Sequence, residues 1–157
     1  MKTKSNTQRI VRKTAISLKA DAKTVFPLLC PVKELDWIKG WEDICTLVYT
    51  DSGIAEEACV FETDTPEEGV SLWMCSHYNA AQCEITYIKH IIGKAVIKWD
   101  MVVRDTADGS AINSVYTMTS LSEEGAAMVR DYDERYFDVL FEGIQKQIND
   151  YTAKALL

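Results

Sequence analysis

Proline is scarce in this chain and missing where it would do most damage. Three of 157 residues are proline, and none lies between Glu123 and Leu156. Histidine is scarcer, with two copies, and the five cysteines at 30, 45, 59, 75 and 83 include no C-x-x-C pair. That excludes a zinc site or a dithiol redox centre of ordinary spacing, so no metal and no cofactor is expected. No apolar run approaches the length of a membrane span. No apolar core follows the positive start Met1-Lys2-Thr3-Lys4, so a secretory signal is not expected. The odd, dispersed cysteines suit small buried hydrophobes in a reducing cytoplasm. A net charge of −7 lacks the basic footprint that nucleic acid or an anionic membrane requires. There is no glycine-rich phosphate loop and no legible Ser-His-Asp order.

What is present is a single domain with no repeat, low-complexity tract or linker. The proline-free segment from Glu123 to about Leu156 carries apolar residues at helical spacing, among them Val129, Tyr132, Tyr136, Phe137, Leu140, Phe141, Ile144 and Ile148. The pattern predicts one long helix of roughly 50 Å at about 1.5 Å per residue. Ser120 with Glu123 reads as its capping box. Gly143, inside it, reads as a point of close packing on a sheet rather than a hinge.

Upstream, the first strand runs from Ile10 to Leu18. Asp21 caps a short helix through Phe26, which Pro27 disturbs, and Pro31 opens a second short turn. Six strand candidates follow at 44–50, 54–62, 70–78, 82–91, 95–105 and 111–120, with Asp108-Gly109 the strongest hairpin signal. Chaining the hairpins pairs Met101 with Tyr116, Tyr87 with Trp99, Trp73 with Tyr87, Phe61 with Trp73, His77 with Cys83, Glu57 with His77 and Leu47 with Glu57. One face then collects Cys45, Leu47, Tyr49, Cys59, Phe61, Trp73, Cys75, Ile85, Tyr87, Trp99, Met101, Val103, Tyr116 and Met118. The other face is charged, as befits a sheet with one wet side.

A bent sheet touches a straight helix along only part of its length, so a cavity is expected between them. Phe61, Trp73, Tyr87, Trp99, Met101, Tyr116 and Phe137 would line it, with Trp37 and Trp41 as a gate or a cap. Glu57 and His77, as inward cross-strand neighbours, could fix a polar end or act as a general acid–base pair. His90 reads as a surface residue, and no histidine is spaced to activate Cys30 as a nucleophile.

The order strand, short helices, six strands, long helix resembles the START-like, or SRPBCC, superfamily over nearly the whole chain. The resemblance is carried by Thr14-Ala15-Ile16-Ser17-Leu18 leading to Phe26-Pro27-Leu28-Leu29-Cys30-Pro31, and by Glu34-Leu35-Asp36-Trp37-Ile38-Lys39-Gly40-Trp41. Ser52-Gly53-Ile54-Ala55-Glu56-Glu57-Ala58-Cys59-Val60-Phe61 and Leu121-Ser122-Glu123-Glu124-Gly125 complete it. It implies an α+β helix-grip fold, a seven-stranded antiparallel sheet wrapped around the C-terminal helix with a deep hydrophobic cavity. Members of that superfamily include lipid-transfer domains, plant pathogenesis-related allergens, hormone receptors, polyketide cyclases and chaperone activators. They share no functional motif that could be carried over by position. The sequence therefore points first to binding or transport of a small hydrophobic, aromatic or lipid-like molecule. A polyketide cyclase/dehydratase-type enzyme using His77 and Glu57 is the alternative, and a partner-binding module a third. The oligomeric state stays open.

Overall fold

The structure, a computed structural model, describes residues 6–155. Seven strands form one antiparallel sheet: β1 (Arg9–Leu18), β2 (Cys45–Tyr49), β3 (Val60–Thr65), β4 (Gly69–Asn79), β5 (Glu84–Ile91), β6 (Ala95–Thr106) and β7 (Gly109–Ser120). Their spatial order is β1-β7-β6-β5-β4-β3-β2. β2 to β7 are a meander, so β1 and β2 are the two edges although they are consecutive in sequence. The chain between them must cross one end of the sheet. It does so as α1 (Ala22–Val25), a 3-10 turn (Phe26–Leu29), α2 (Pro31–Glu34) and α3 (Trp41–Ile44). The Asp21 side chain accepts from Thr24 N at 2.8 Å, and Pro31 occupies the first turn of α2, both as the sequence predicts.

The C-terminal helix is not continuous. It divides into α4 (Glu123–Asp131) and α5 (Glu134–Ala155), and the expected end at Leu156 lies outside the described residues. Tyr132 leaves helical geometry (φ −81°, ψ 61°) and sends its hydroxyl to Glu68 Oε1 at 2.6 Å. Asp133 restarts the helix, its Oδ1 accepting from Tyr136 N at 2.9 Å. The N-cap of α4 is Ser122, bonded to Gly125 N at 3.1 Å, and not Ser120, whose Oγ instead accepts from Gln8 N at 2.8 Å.

Gly125 lies hard against the turn between β5 and β6: a Cβ there would lie 1.8 Å from the Lys94 carbonyl oxygen. Gly125→Ala should therefore destabilise the protein by roughly 1–3 kcal/mol despite alanine's better helix propensity, read as a lower urea midpoint. Gly143 is the opposite case. A Cβ there meets nothing within 4 Å, so the expected close packing at this position is corrected to open space.

Two register changes matter for the inner wall. β6 and β7 pair through Trp99↔Tyr116 and Met101↔Ser114, two residues from the expected register, with faces preserved because the side-chain period is two. In β4 a bulge between Cys75 and His77 changes parity. Before it, Trp73 pairs with Lys89 and Cys75 with Tyr87. After it, His77 pairs with Thr86 and Tyr78 with Ile85. His77 is thereby turned to the outer face, while Tyr78 packs against Phe26 at 5.4 Å.

Candidate functional site

β3 begins at Val60, not at residue 54, and the reason is local. The Glu56 carboxylate accepts from Thr50 Oγ1 (2.8 Å), Ser52 N (3.2 Å) and Asp51 N, tying 50–56 into a loop. The Ser52 side chain above all, then Thr50 and the Asp51 and Ser52 backbone, hold its pKa down to about 2. Ala58 then adopts a φ of 67°, which breaks the extended run. Glu57 sits exposed on this turn. The inward Glu57–His77 pair is therefore corrected: His77 is exposed, with Nε2 3.8 Å from Glu84 Oε2 on the wet face. Leu47 pairs with Phe61, not with Glu57. Leu47 (42% exposed) and Tyr49 (58%) lie on the open edge strand and leave the inner wall.

The rest of that wall is in place. Cys59, Phe61, Trp73, Cys75, Ile85, Tyr87, Met101, Val103, Tyr116 and Met118 are buried, and Trp99 is partly buried against them. Phe61 stacks on Trp73 (5.3 Å, 15°), and both meet the edge of Tyr87. Between this wall, α5 and the α2–α3 segment lies a cavity of about 440 Å³. Trp37, Trp41, Phe61, Trp73, Tyr87, Trp99 and Met101 line it, together with Leu140, Gly143 and Ile144 of α5. Val139, 64% exposed, marks its mouth. Tyr116 and Phe137 do not line it. Tyr116 faces a second, adjoining hollow of about 780 Å³ under α4. Phe137 is packed among Tyr116, Tyr132, Tyr136 and Phe141.

The aromatic polar tips are already occupied. Trp37 Nε1 donates to Leu28 O (3.0 Å), Trp41 Nε1 to Pro31 O (2.7 Å), Trp73 Nε1 to Thr63 Oγ1 (2.9 Å) and Trp99 Nε1 to Ser114 Oγ (2.7 Å). Tyr87 OH donates to Leu29 O at 2.9 Å. The rings are thus fixed in orientation and present mainly carbon to the cavity. The indoles of Trp37 and Trp41 are pinned to the backbone as caps.

Sequence reasoning missed the charged groups inside. Lys89 is 6% exposed, faces inward, pairs with Glu68, and lies 4.6 Å from the centroid of the Trp73 ring. Burial lowers its pKa, and the neighbouring Glu68 opposes that. Tyr132 OH completes the group on the other carboxylate oxygen. The period-two series Ile85, Tyr87, Lys89, Ile91 was a sufficient signal for the lysine. Glu34, at the end of α2, also lines the cavity, and burial lifts its carboxyl to about 8.

Among solved structures the chain is similar to truncated norcoclaurine synthase from Thalictrum flavum, at 15% identity and TM-score 0.65, covering 99% of this chain and 98% of that one. An uncharacterised Rhizobium leguminosarum protein matches at 9% identity and TM-score 0.66, over 95% and 97% of the two chains. Ginseng major latex-like protein 151 from Panax ginseng matches at 10% and 0.62, over 92% and 97%. The architecture is thus the helix-grip fold that these structures share. No family model matches the sequence, and no curated protein is significantly similar to it. Among the described residues, no helix is long and apolar enough to cross a membrane.

Proposed function

We propose that this protein binds a small, largely apolar molecule, aromatic or lipid-like, in the cavity between sheet and α5. The observation that carries the reading is a hollow of about 440 Å³ whose aromatic walls have their N–H and O–H groups already engaged by the protein. Such a surface gains by losing water, at about 25 cal/mol per Å² of apolar area. Trp37, Trp41, Phe61, Trp73, Tyr87, Trp99 and Met101 would supply the contacts. The test is fluorescence titration with the neutral probe N-phenyl-1-naphthylamine, beside native mass spectrometry of protein from its own host. Gly143→Leu, which places a side chain in open space, should lower probe affinity at least tenfold while leaving the melting temperature unchanged or higher. Undiminished binding in that variant places the probe elsewhere and removes the reading.

A second reading, a cyclase- or dehydratase-type enzyme, is favoured by different residues from those the sequence suggested. Lys89 and Glu68 face the cavity together, an amine and a carboxylate that could exchange a proton with a bound carbonyl compound. Glu68→Gln would then abolish turnover with binding kept, whereas a carrier would show no turnover to lose. A partner-binding module without a ligand would call for a solid core, and the hollow speaks against it.

A further inference from the structure

Glu34 closes α2 within the segment that carries Trp37 and Trp41, and its side chain lines the cavity. Its backbone is in order, with Glu34 O accepting from Ile38 N at 2.8 Å. Among the described residues no donor reaches its carboxylate. The titratable groups around it are Tyr87 from β5, Cys45 from β2 and Cys30 at the start of α2, and none of them is cationic. Lys33, its neighbour in sequence, points to Asp36 at 3.7 Å. Among the described residues, the one cation lining the cavity, Lys89, is already matched by Glu68.

We propose that the Glu34 end of this cavity recognises a protonated amine carried on an apolar body, with the Glu34 carboxylate as its counter-ion. The inference rests on the cavity being a ligand site and names the chemistry of the ligand's polar end. Three observations converge on it. The carboxyl is an unpartnered group in apolar surroundings, where an unmatched charge is most costly and a matched one most specific. The indole N–H groups of Trp37 and Trp41 and the hydroxyl of Tyr87 are spent on backbone carbonyls, so beyond the Glu34 carboxyl itself these side chains offer a ligand no donor. What the rings retain is their faces, which attract cations. An anionic ligand would instead meet a carboxyl with no cation beside it.

Proton balance gives the idea a signature. In the free protein burial keeps the carboxyl protonated at pH 7, since it ionises only near 8. An incoming ammonium would displace that proton to solvent: the Glu34 O–H bond breaks, the ion pair forms, and no other bond changes. Below pH 8 each amine bound should release close to one proton, and well above pH 8 close to none.

The experiment is isothermal titration calorimetry of the intact protein with three probes of one shape: tryptamine, its neutral alcohol analogue tryptophol, and indole-3-propionate. Each is run at pH 7 and pH 9 in two buffers of different ionisation enthalpy. The expected order is amine, alcohol, anion, with the amine favoured over the alcohol roughly tenfold or more, as for a charge-assisted hydrogen bond. Glu34→Gln, an isostere of the protonated carboxyl, should erase both the preference and the proton release while alcohol affinity persists. Equal binding of amine and alcohol, or a preference that survives Glu34→Gln, overturns the inference. If N-phenyl-1-naphthylamine binds but the amine shows no preference, the amine assignment fails alone. If no neutral probe binds either, the cavity reading fails and takes this one with it.

Discussion

Lys89→Met should destabilise the protein by about 3–5 kcal/mol, among the largest effects of any single substitution in this chain. Methionine fills much the same space but leaves Glu68 without its cation in the low-dielectric interior. Lys89 and Glu68 have side chains only 7% and 11% exposed, so solvent cannot take over the pairing. The loss should appear as a lower urea midpoint at unchanged slope. Removing all three linked polar groups together, as Lys89→Met, Glu68→Leu, Tyr132→Phe, should recover most of it, because no unpaired charge or hydroxyl then remains. If the triple variant is no better than the single one, the cost lies in packing rather than in the orphaned carboxylate.

The ligand-free protein should lose stability as pH rises from about 5 to 8, and Glu34 should be the cause. Its carboxyl ionises at 4.5 in the unfolded chain and near 8 in the folded one. Between those values the folded state holds a proton that the unfolded state has released, so unfolding liberates a proton and is favoured by rising pH. The loss is complete above pH 8. At about 1.4 kcal/mol per pH unit the full separation is an upper bound, and because Glu34 is only partly buried solvent screening should hold the effect to about 1–2 kcal/mol. Glu34→Gln should flatten this part of the profile and be more stable than the natural protein at pH 8.5. Parallel profiles for the two proteins would show that Glu34 ionises normally in the fold.

These two groups also show where sequence reasoning stopped. Strand count, the meander from β2 to β7 and most inner aromatics were legible, because the alternation around Trp73, Tyr87 and Trp99 survives even a two-residue slip of β6 on β7. Residues beyond an irregularity were not. The bulge between Cys75 and His77 reverses parity at a point where nothing in the sequence marks it, and it carried His77 from the expected inner wall to the wet face. Glu57 fell for a similar reason, since the loop held by Glu56 and the positive φ of Ala58 replace an extended run that apolar spacing alone suggested. The break at Tyr132 is set by a tertiary partner, Glu68, 64 residues away, which helical periodicity cannot report. Glu34 escaped notice because a carboxylate on a short helix reads as solvated until the cavity beside it is seen.

The edge-to-edge order of the sheet also dictates a sequence of events. Among the described residues β1 pairs only with β7, Arg9 against Thr119 and Leu18 against Ser110, so the earliest of the seven strands has no neighbour until about a hundred residues later in the chain. The meander β2 to β7 can zip through local hairpins, while β1 must wait and then close a long loop, an entropic step that slows folding in proportion to sequence separation. Until it docks, α5 lacks the strand that offers Ser17 O to Gln145 Nε2 and Lys19 N to Asn149 Oδ1, and the aromatic wall stands open to water. The cavity therefore comes into being only when β1 and α5 have both docked.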